Sequence, residues 1–186
     1  PGPLISICTP TPFNPIYMTG TTTTGTYQSA IWSGGAGLGT WTQNQNPALA
    51  YFTPTVPSAS FTATLTVTAT TSCGGMVITR TRDIAWSQTP AVEAGPNISR
   101  CDATPLAPII MTGASATGTY SALAWSGGTG QGAWIQNANP ALATFTPSVP
   151  NGSFTATLTA TGSAACLGTN PIDTRTITWG ETPGAE

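Results

Sequence analysis

The sequence predicts an all-β chain made of two tandem β-sandwich domains of about seven strands each. The first observation is a repeat: residues 1–93 align without a gap on residues 94–186, and about 52 of the 93 aligned positions are identical. The second is the scarcity of good helix formers, because Pro, Gly and Thr interrupt every window of helical length. The third is a series of short runs in which apolar and polar residues alternate, as in half-buried strands.

The clearest strand is the alternating run of residues 61–70, whose equivalent lies at residues 154–161. Period two turns the threonines outward and places four apolar residues on a buried face: Phe61, Ala63, Leu65 and Val67. Cys73 has the same parity and is expected to point to the core if the strand continues.

A β-solenoid is disfavoured because its coils repeat at about 20–30 residues. Turn-forming residues separate the predicted strands, which lie near residues 3–8, 15–19, 27–33, 39–43, 48–53, 60–70 and 77–87, with equivalents in the second half.

The repeat sets the expected domain boundaries at 1–93 and 94–186, here named copy 1 and copy 2. Each copy is long enough for a modest hydrophobic core. The junction, residues 87–98, contains Pro90 and Pro96 but no Gly/Ser run, which predicts a stiff joint rather than a flexible tether. Repeats of this kind are typical of longer arrays that span distance or multiply contacts.

Charged residues are rare: the chain has no Lys and no His, and its net charge is −2. Such a chain has no basic surface for nucleic acid, and no run approaches the roughly 18 apolar residues of a membrane helix. We therefore expect neither nucleic-acid binding nor direct membrane insertion.

Without His or Lys, the usual catalytic triads and Schiff-base chemistry are excluded, and the copies share no acidic pair. We expect no enzymatic activity, no cofactor and no metal site. Few charges are kept between the copies: only Arg82 with Arg175 and Glu93 with Glu186.

Four cysteines occupy matched positions, Cys8 and Cys73 in copy 1 and Cys101 and Cys166 in copy 2. This pattern predicts disulfides and an oxidising compartment. Three pairings are possible. We favour Cys8–Cys73 with Cys101–Cys166, because a small domain gains most from closing its own long loop. A Cys73–Cys101 bond would instead connect neighbouring copies, and free buried thiols are the remaining alternative.

Tryptophan recurs at three positions of each copy, and packing in the core or between sheets is favoured over a sugar-stacking platform. Trp41 and Trp134 lie in polar segments, so they are the best candidates for exposure and ligand contact. The glycine-rich segment 34–39 is interpreted as a turn between strands, because neither a helix nor a Lys accompanies it as phosphate binding would require.

Four segments of copy 2 carry a resemblance to a known family: AGPNISRC (94–101), WSGGTG (125–130), ATFTPS (143–148) and GSFTATLTAT (152–161). Their order resembles the PKD-like, immunoglobulin-like repeats of very large cell-surface proteins of Bacteroidota, including gliding-motility adhesins. The resemblance covers both copies nearly end to end. It implies tandem immunoglobulin-like β-sandwich domains, export by the type IX route, and display as a surface fibre or adhesin. Two departures from immunoglobulin domains are that Cys8 lies on the first predicted strand and that Thr71 replaces the tyrosine-corner residue.

Together these features favour a structural role as a stiff spacer or stalk in a secreted, surface-displayed bacterial adhesin or extracellular filament. The expected partners are neighbouring repeats of the same chain, with other fibre chains or extracellular glycans as further candidates. One alternative is a glycan- or surface-binding adhesive module that uses Trp41 and Trp134. A second alternative is an accessory module of a secreted enzyme.

Overall fold

The computed structural model describes residues 2–102 and 106–183; residue 1, residues 103–105 and the end of copy 2, residues 184–186, lie outside the described part. The chain divides into two compact units. Unit 1 comprises residues 1–88 together with residues 164–166, and unit 2 comprises residues 89–163 and 167–186. The expected boundary between residues 93 and 94 is the boundary of the sequence repeat. The compact units instead divide between residues 88 and 89, and the strand Ala91–Glu93 pairs within unit 2.

Unit 1 has seven strands in its described residues, arranged in two sheets. They are β1 (Ile5–Thr9), β2 (Ile16–Tyr17), β3 (Tyr27–Ser33), β4 (Gly39–Thr42), β5 (Tyr51–Pro54), β6 (Ser58–Ala69) and β7 (Val77–Gln88). The four-stranded sheet has the order β1-β7-β6-β3, and the three-stranded sheet has the order β2-β5-β4. Each strand lies close to a predicted one, so the all-β prediction is confirmed.

Unit 2 repeats this arrangement in its described residues and adds a two-stranded ribbon. Its strands are β8 (Ala91–Glu93), β9 (Ile98–Asp102), β10 (Ile109–Ile110), β11 (Ser115–Thr117), β12 (Tyr120–Ser126), β13 (Gly132–Ile135), β14 (Thr144–Pro147), β15 (Gly152–Gly162) and β16 (Ile172–Glu181). The sheets β9-β16-β15-β12 and β10-β14-β13 have the same strand order as those of unit 1. The added ribbon pairs β8 with β11 and has no counterpart among the predicted strands.

The two longest strands of unit 1, β6 and β7, form an antiparallel hairpin, with Ser58 opposite Ser87 at one end and Thr68 opposite Val77 at the other. The expected alternation is present in β6: Ala63 and Leu65 are buried, and the neighbouring threonines are half-buried or exposed. Phe61 and Val67, also predicted to face inward, are partly buried and pack against the core. The apolar residues of β6 therefore form part of the inner face of the larger sheet.

The core of each unit lies between its two sheets and is built around buried aromatic rings. In unit 1, Trp32 and Trp86 from the larger sheet meet Phe52 from the smaller one. Their polar edges are satisfied, because Trp32 Nε1 donates to the Pro47 carbonyl at 3.0 Å and Trp86 Nε1 donates to the Val56 carbonyl at 2.8 Å. Unit 2 reproduces this set with Trp125, Phe145 and Trp179. Residues of both sheets sharing one core define a β-sandwich.

Helical structure in the described residues is limited to three short 3-10 segments: Thr71–Cys73, Pro140–Leu142 and Ala164–Cys166. None of the helices within residues 2–102 and 106–183 has the length and apolar composition that crossing a bilayer requires.

Candidate functional site

The disulfide of this chain joins Cys8 to Cys166, with a Cα–Cα distance of 4.9 Å. Cys8 lies in β1, and Cys166 ends the 3-10 segment Ala164–Cys166, which belongs to unit 1. Cys166 is buried, and its Sγ lies 3.4 Å from the Gln88 carbonyl oxygen and 3.6 Å from that of Ser87. The remaining cysteines, Cys73 and Cys101, are free and exposed.

The favoured pairing of Cys8 with Cys73 and Cys101 with Cys166 is therefore wrong. In unit 1, Cys8 is paired opposite Ser87, near the end of β7, whereas Cys73 follows β6 just before Val77, where β7 begins. Ten residues of a strand separate those ends, about 33 Å at roughly 3.3 Å per residue. A disulfide needs Cα atoms within about 7 Å, so the fold itself forbids a bond between Cys8 and Cys73.

The expectation that Cys73 points to the core is wrong as well, because the strand does not continue that far. β6 ends at Ala69, and the chain enters the 3-10 segment Thr71–Cys73, which closes on Gly74 in the left-handed conformation with φ of 71°. The Cys73 N–H donates to the Thr70 carbonyl at 2.9 Å. This tight turn leaves the thiol on the surface.

Trp41 and Trp134 are half-buried at equivalent places in the smaller sheets. Trp134 stacks on Trp125, with ring centroids 5.6 Å apart and planes 7° from parallel, and its Nε1 donates to the Gly127 carbonyl at 3.0 Å. Trp41 stacks on Trp32 in the same way, at 5.8 Å and 8°. One face of each ring is therefore committed to the core, and only the remaining surface is open to a ligand.

The glycine-rich segment 34–39 forms the turn between β3 and β4, with the Leu38 N–H donating to the Gly35 carbonyl at 3.0 Å. Gly35 has φ of 69°, and a Cβ at this position would lie 2.8 Å from the Phe61 ring. The glycine thus lets the turn close over an aromatic side chain of the core.

Arg82 and Arg175 occupy equivalent positions and are buried at 6% and 2% exposure. The Arg82 guanidinium donates to the carbonyls of Pro3 at 2.6 Å and Thr19 at 2.7 Å. Burial lowers the pKa of both guanidinium groups, which nevertheless stay cationic because the ordinary pKa of arginine is so high. The sequence marks these residues only as charges shared by the copies, and their structural role was not predicted.

Arg175 makes the same contacts in unit 2, donating to the carbonyls of Pro96 at 3.2 Å and Thr112 at 2.9 Å. It also lies 3.2 Å from Met111 Sδ, and its Cζ is 5.2 Å from the centroid of the Trp125 ring. In each unit the arginine thus ties two distant loops to the last long strand.

Asp173 is an acidic group specific to unit 2, since Arg80 stands at the equivalent position of copy 1. Its carboxylate accepts the Ala94 N–H at 2.7 Å. This bond, followed by one from the Thr174 backbone, lowers the pKa of Asp173. The carboxylate therefore ties the segment that enters β9 to the start of β16.

No protein family model and no curated protein matches the chain. Among solved structures, the EC1-4 fragment of Drosophila N-cadherin aligns with 97% of this chain and 48% of its own length, at a TM-score of 0.44 and 9% identity. Protocadherin gammaB7 EC3-6 aligns with 97% of this chain and 46% of its own, at 0.43 and 12%. A fragment of three Ig domains of titin aligns with 83% and 55%, at 0.47 and 7%. The chain spans about half the length of these structures, and its fold is defined by its own sheets.

Proposed function

We propose that this chain is a tandem immunoglobulin-like segment that acts as a stiff spacer or stalk in a secreted, surface-displayed bacterial adhesin or extracellular filament. The observation that carries the proposal is the equivalence of the two units. They share sheet order, aromatic core and buried arginine, while most of the exposed charges differ. What the copies keep is scaffold, which is the part that a spacer needs.

The connection between the long strands supports the proposal. Only Thr89 and Pro90 separate the end of β7 from the beginning of β8. Pro90 is buried, and the Thr89 carbonyl oxygen would lie 2.3 Å from a Cβ placed on Gly118. Two residues with such close packing are too few to act as a flexible linker.

The disulfide supports a location outside the cytoplasm, because such bonds persist in oxidising compartments. The order of the sequence motifs in copy 2 supports a narrower assignment, to the large adhesins of Bacteroidota and their type IX export. This narrower assignment depends on the resemblance of the motifs alone.

Small-angle X-ray scattering tests the spacer function on chains that carry two, four and six copies. We expect the maximum dimension to rise linearly, by about 35–45 Å for each added copy, the length of a sandwich with strands of about 8–10 residues and its loops. A matched control carries about ten Gly/Ser residues in place of residues 89–90 and should rise more slowly, as a flexible chain does. A maximum dimension that rises no faster than in the control contradicts the proposal.

A second candidate function is a glycan-binding adhesive module, which the half-exposed tryptophans at matched positions of both units favour. An extracellular glycan would stack on the open face of Trp41 or Trp134. A glycan array probed with the wild-type chain and with the Trp41→Phe, Trp134→Phe double variant tests this. Binding that the double variant loses would support the adhesive function, and an absence of binding by the wild-type chain would contradict it.

A further inference from the structure

The free thiols Cys73 and Cys101 occupy the same two repeat positions as the bonded pair. Cys101 is the equivalent of Cys8, and Cys73 is the equivalent of Cys166. The observed bond therefore joins the first cysteine position of one copy to the second cysteine position of the copy that follows it. Cys101 and Cys73 are the complementary halves of a bond of the same kind.

Unit 1 shows what a bonded site looks like. The segment Ala164–Cys166 packs against β1 and β7. Ser87 is fully buried there, and Cys166 is only 1% exposed. The groups that surround the Cys166 sulfur are backbone carbonyls, those of Ser87 and Gln88. Recognition at this site thus depends mainly on the backbone at the end of β7.

Unit 2 presents the same pairing of its first long strand with its last one. β9 pairs in parallel with β16, and Cys101 lies opposite Gly180 as Cys8 lies opposite Ser87. Gly180 is half-buried, whereas Cys101 and Glu181 are exposed. Replacement of Ser87 and Gln88 by Gly180 and Glu181 keeps the two backbone carbonyl groups that lie near the sulfur in unit 1.

The complementary segment is also available. Thr71–Cys73 is a 3-10 segment of the same length as Ala164–Cys166, and all three of its residues are exposed. The two segments differ in one backbone angle, since Ala164 has φ of 52° and no non-glycine residue within 2–102 has a positive φ. Docking would therefore require Thr71 to adopt the left-handed backbone conformation of Ala164.

We propose that unit 2 binds the Thr71–Cys73 segment of a second copy of this chain, head to tail, and that Cys101 of one chain forms a disulfide with Cys73 of the other. The inference deepens the proposed function and rests on it, because an array supplies the second copy. As the S–S bond forms, two thiols lose two protons and two electrons. A small disulfide, oxidised glutathione, accepts them through a mixed disulfide and leaves as two glutathione thiols.

Complementary variants of the full chain test the register of this bond. Cys73→Ser retains only the Cys101 thiol, and Cys101→Ser retains only the Cys73 thiol. Each is incubated alone and in an equal mixture with a glutathione redox buffer, and covalent dimers are identified by mass spectrometry of non-reduced peptides. We expect the mixture to give a Cys101–Cys73 heterodimer in about tenfold excess over either homodimer, equivalent to about 1.4 kcal/mol of preference. Peptides that hold the Cys8–Cys166 bond show that each variant is folded.

Homodimers through Cys101 or through Cys73 in amounts equal to the heterodimer would overturn the proposal, because they would show reaction of exposed thiols without recognition. A mixture that gives no covalent dimer would overturn it as well. If either result is found together with a linear rise of the maximum dimension in the scattering experiment, the Cys101–Cys73 bond is contradicted and the stiff spacer is not. A heterodimer together with no linear growth would contradict only the stiff spacer.

Discussion

Replacement of Arg175 by methionine tests the buried cation that each unit keeps. The change removes the guanidinium but leaves a flexible apolar stem of similar length. It deletes the hydrogen bonds to the carbonyls of Pro96 and Thr112 and the contact of the guanidinium with the Trp125 ring. Both carbonyls belong to loops that this side chain connects to β16.

The expected loss follows from these contacts. A hydrogen bond from a charged donor contributes about 1.5–3 kcal/mol, so two of them amount to about 3–6 kcal/mol before any compensation. Removal of the guanidinium also relieves the cost of burying an ion, the same cost that lowers the pKa of Arg175. We therefore expect the free energy of unfolding of unit 2 to fall by about 2–3 kcal/mol. Arg175→Lys keeps the charge but loses the planar guanidinium. Its free energy of unfolding should therefore lie between those of the wild-type protein and Arg175→Met.

Amide hydrogen exchange read by mass spectrometry assigns this loss to a unit. A fall of about 2–3 kcal/mol accelerates exchange through global opening by about 30- to 140-fold in peptides of β10 and β16. Peptides of unit 1 should not change. Arg80→Met is the matched control, since Arg80 is exposed and, within residues 2–102 and 106–183, its side chain bonds only the carbonyl of its neighbour, Thr79. Exchange in unit 2 that is unchanged or slower in Arg175→Met would refute the reasoning and show that the buried cation is a net cost to the fold.

Three further substitutions have defined outcomes. Gly132→Ala places a Cβ 2.2 Å from a backbone oxygen of β14, so the free energy of unfolding should fall by at least about 3 kcal/mol in chemical denaturation. Trp134→Phe removes the hydrogen bond to the Gly127 carbonyl and should lower the thermal midpoint of unit 2 by an amount equivalent to about 1 kcal/mol. Asp173→Asn should flatten the acid sensitivity of unit 2. The Ala94 amide lowers the pKa of the carboxyl, so its stabilisation is complete above the unfolded value of about 3.9 and is lost as pH falls through the folded value.

The first two of these predictions have a matched variant, and the third has a defined contrary outcome. Gly130→Ala meets no atom within 4 Å, and its cost should be limited to backbone strain at φ of 78°, about 1 kcal/mol. Equal losses at Gly130 and Gly132 would contradict the steric explanation. Trp41→Phe should match Trp134→Phe, since the contacts agree. If the variant Asp173→Asn unfolds with the same pH dependence as the wild-type protein, the Ala94 bond does not couple protonation to stability.

The sequence sufficed to predict elements whose signal is local. Alternation of Thr with Ala and Leu along β6 requires only the period of an extended chain, and Pro and Gly mark the turns on either side. The disulfide could not be predicted in this way. Cys8 is positioned by a parallel pairing between β1 and β7, strands at opposite ends of the copy, and no local pattern encodes the register of such a pair.

The buried arginines show a second limit. Conservation of Arg82 and Arg175 between the copies marks both as constrained, but Thr19 and Thr112, which accept their hydrogen bonds, are 63 residues away in sequence. A charge in an alternating strand is read as a solvated surface residue when its partners are unknown. Only the folded arrangement shows that each guanidinium enters the protein and replaces its hydration with carbonyl groups.

The parallel pairing of β1 with β7 also determines how a unit responds to tension. Ile5 lies opposite Ile84 and Thr9 lies opposite Gln88, so the chain enters at one end of this ladder and leaves at the other. Once the Cys8–Cys166 disulfide is reduced, a pull on the two ends of unit 1 acts along the strands and loads their hydrogen bonds in shear, so that the bonds must break together. Such a geometry gives a high barrier to forced unfolding even when the equilibrium stability is modest. In the reduced chain, the resistance of unit 1 to tension is therefore set by a ladder of five residue pairs.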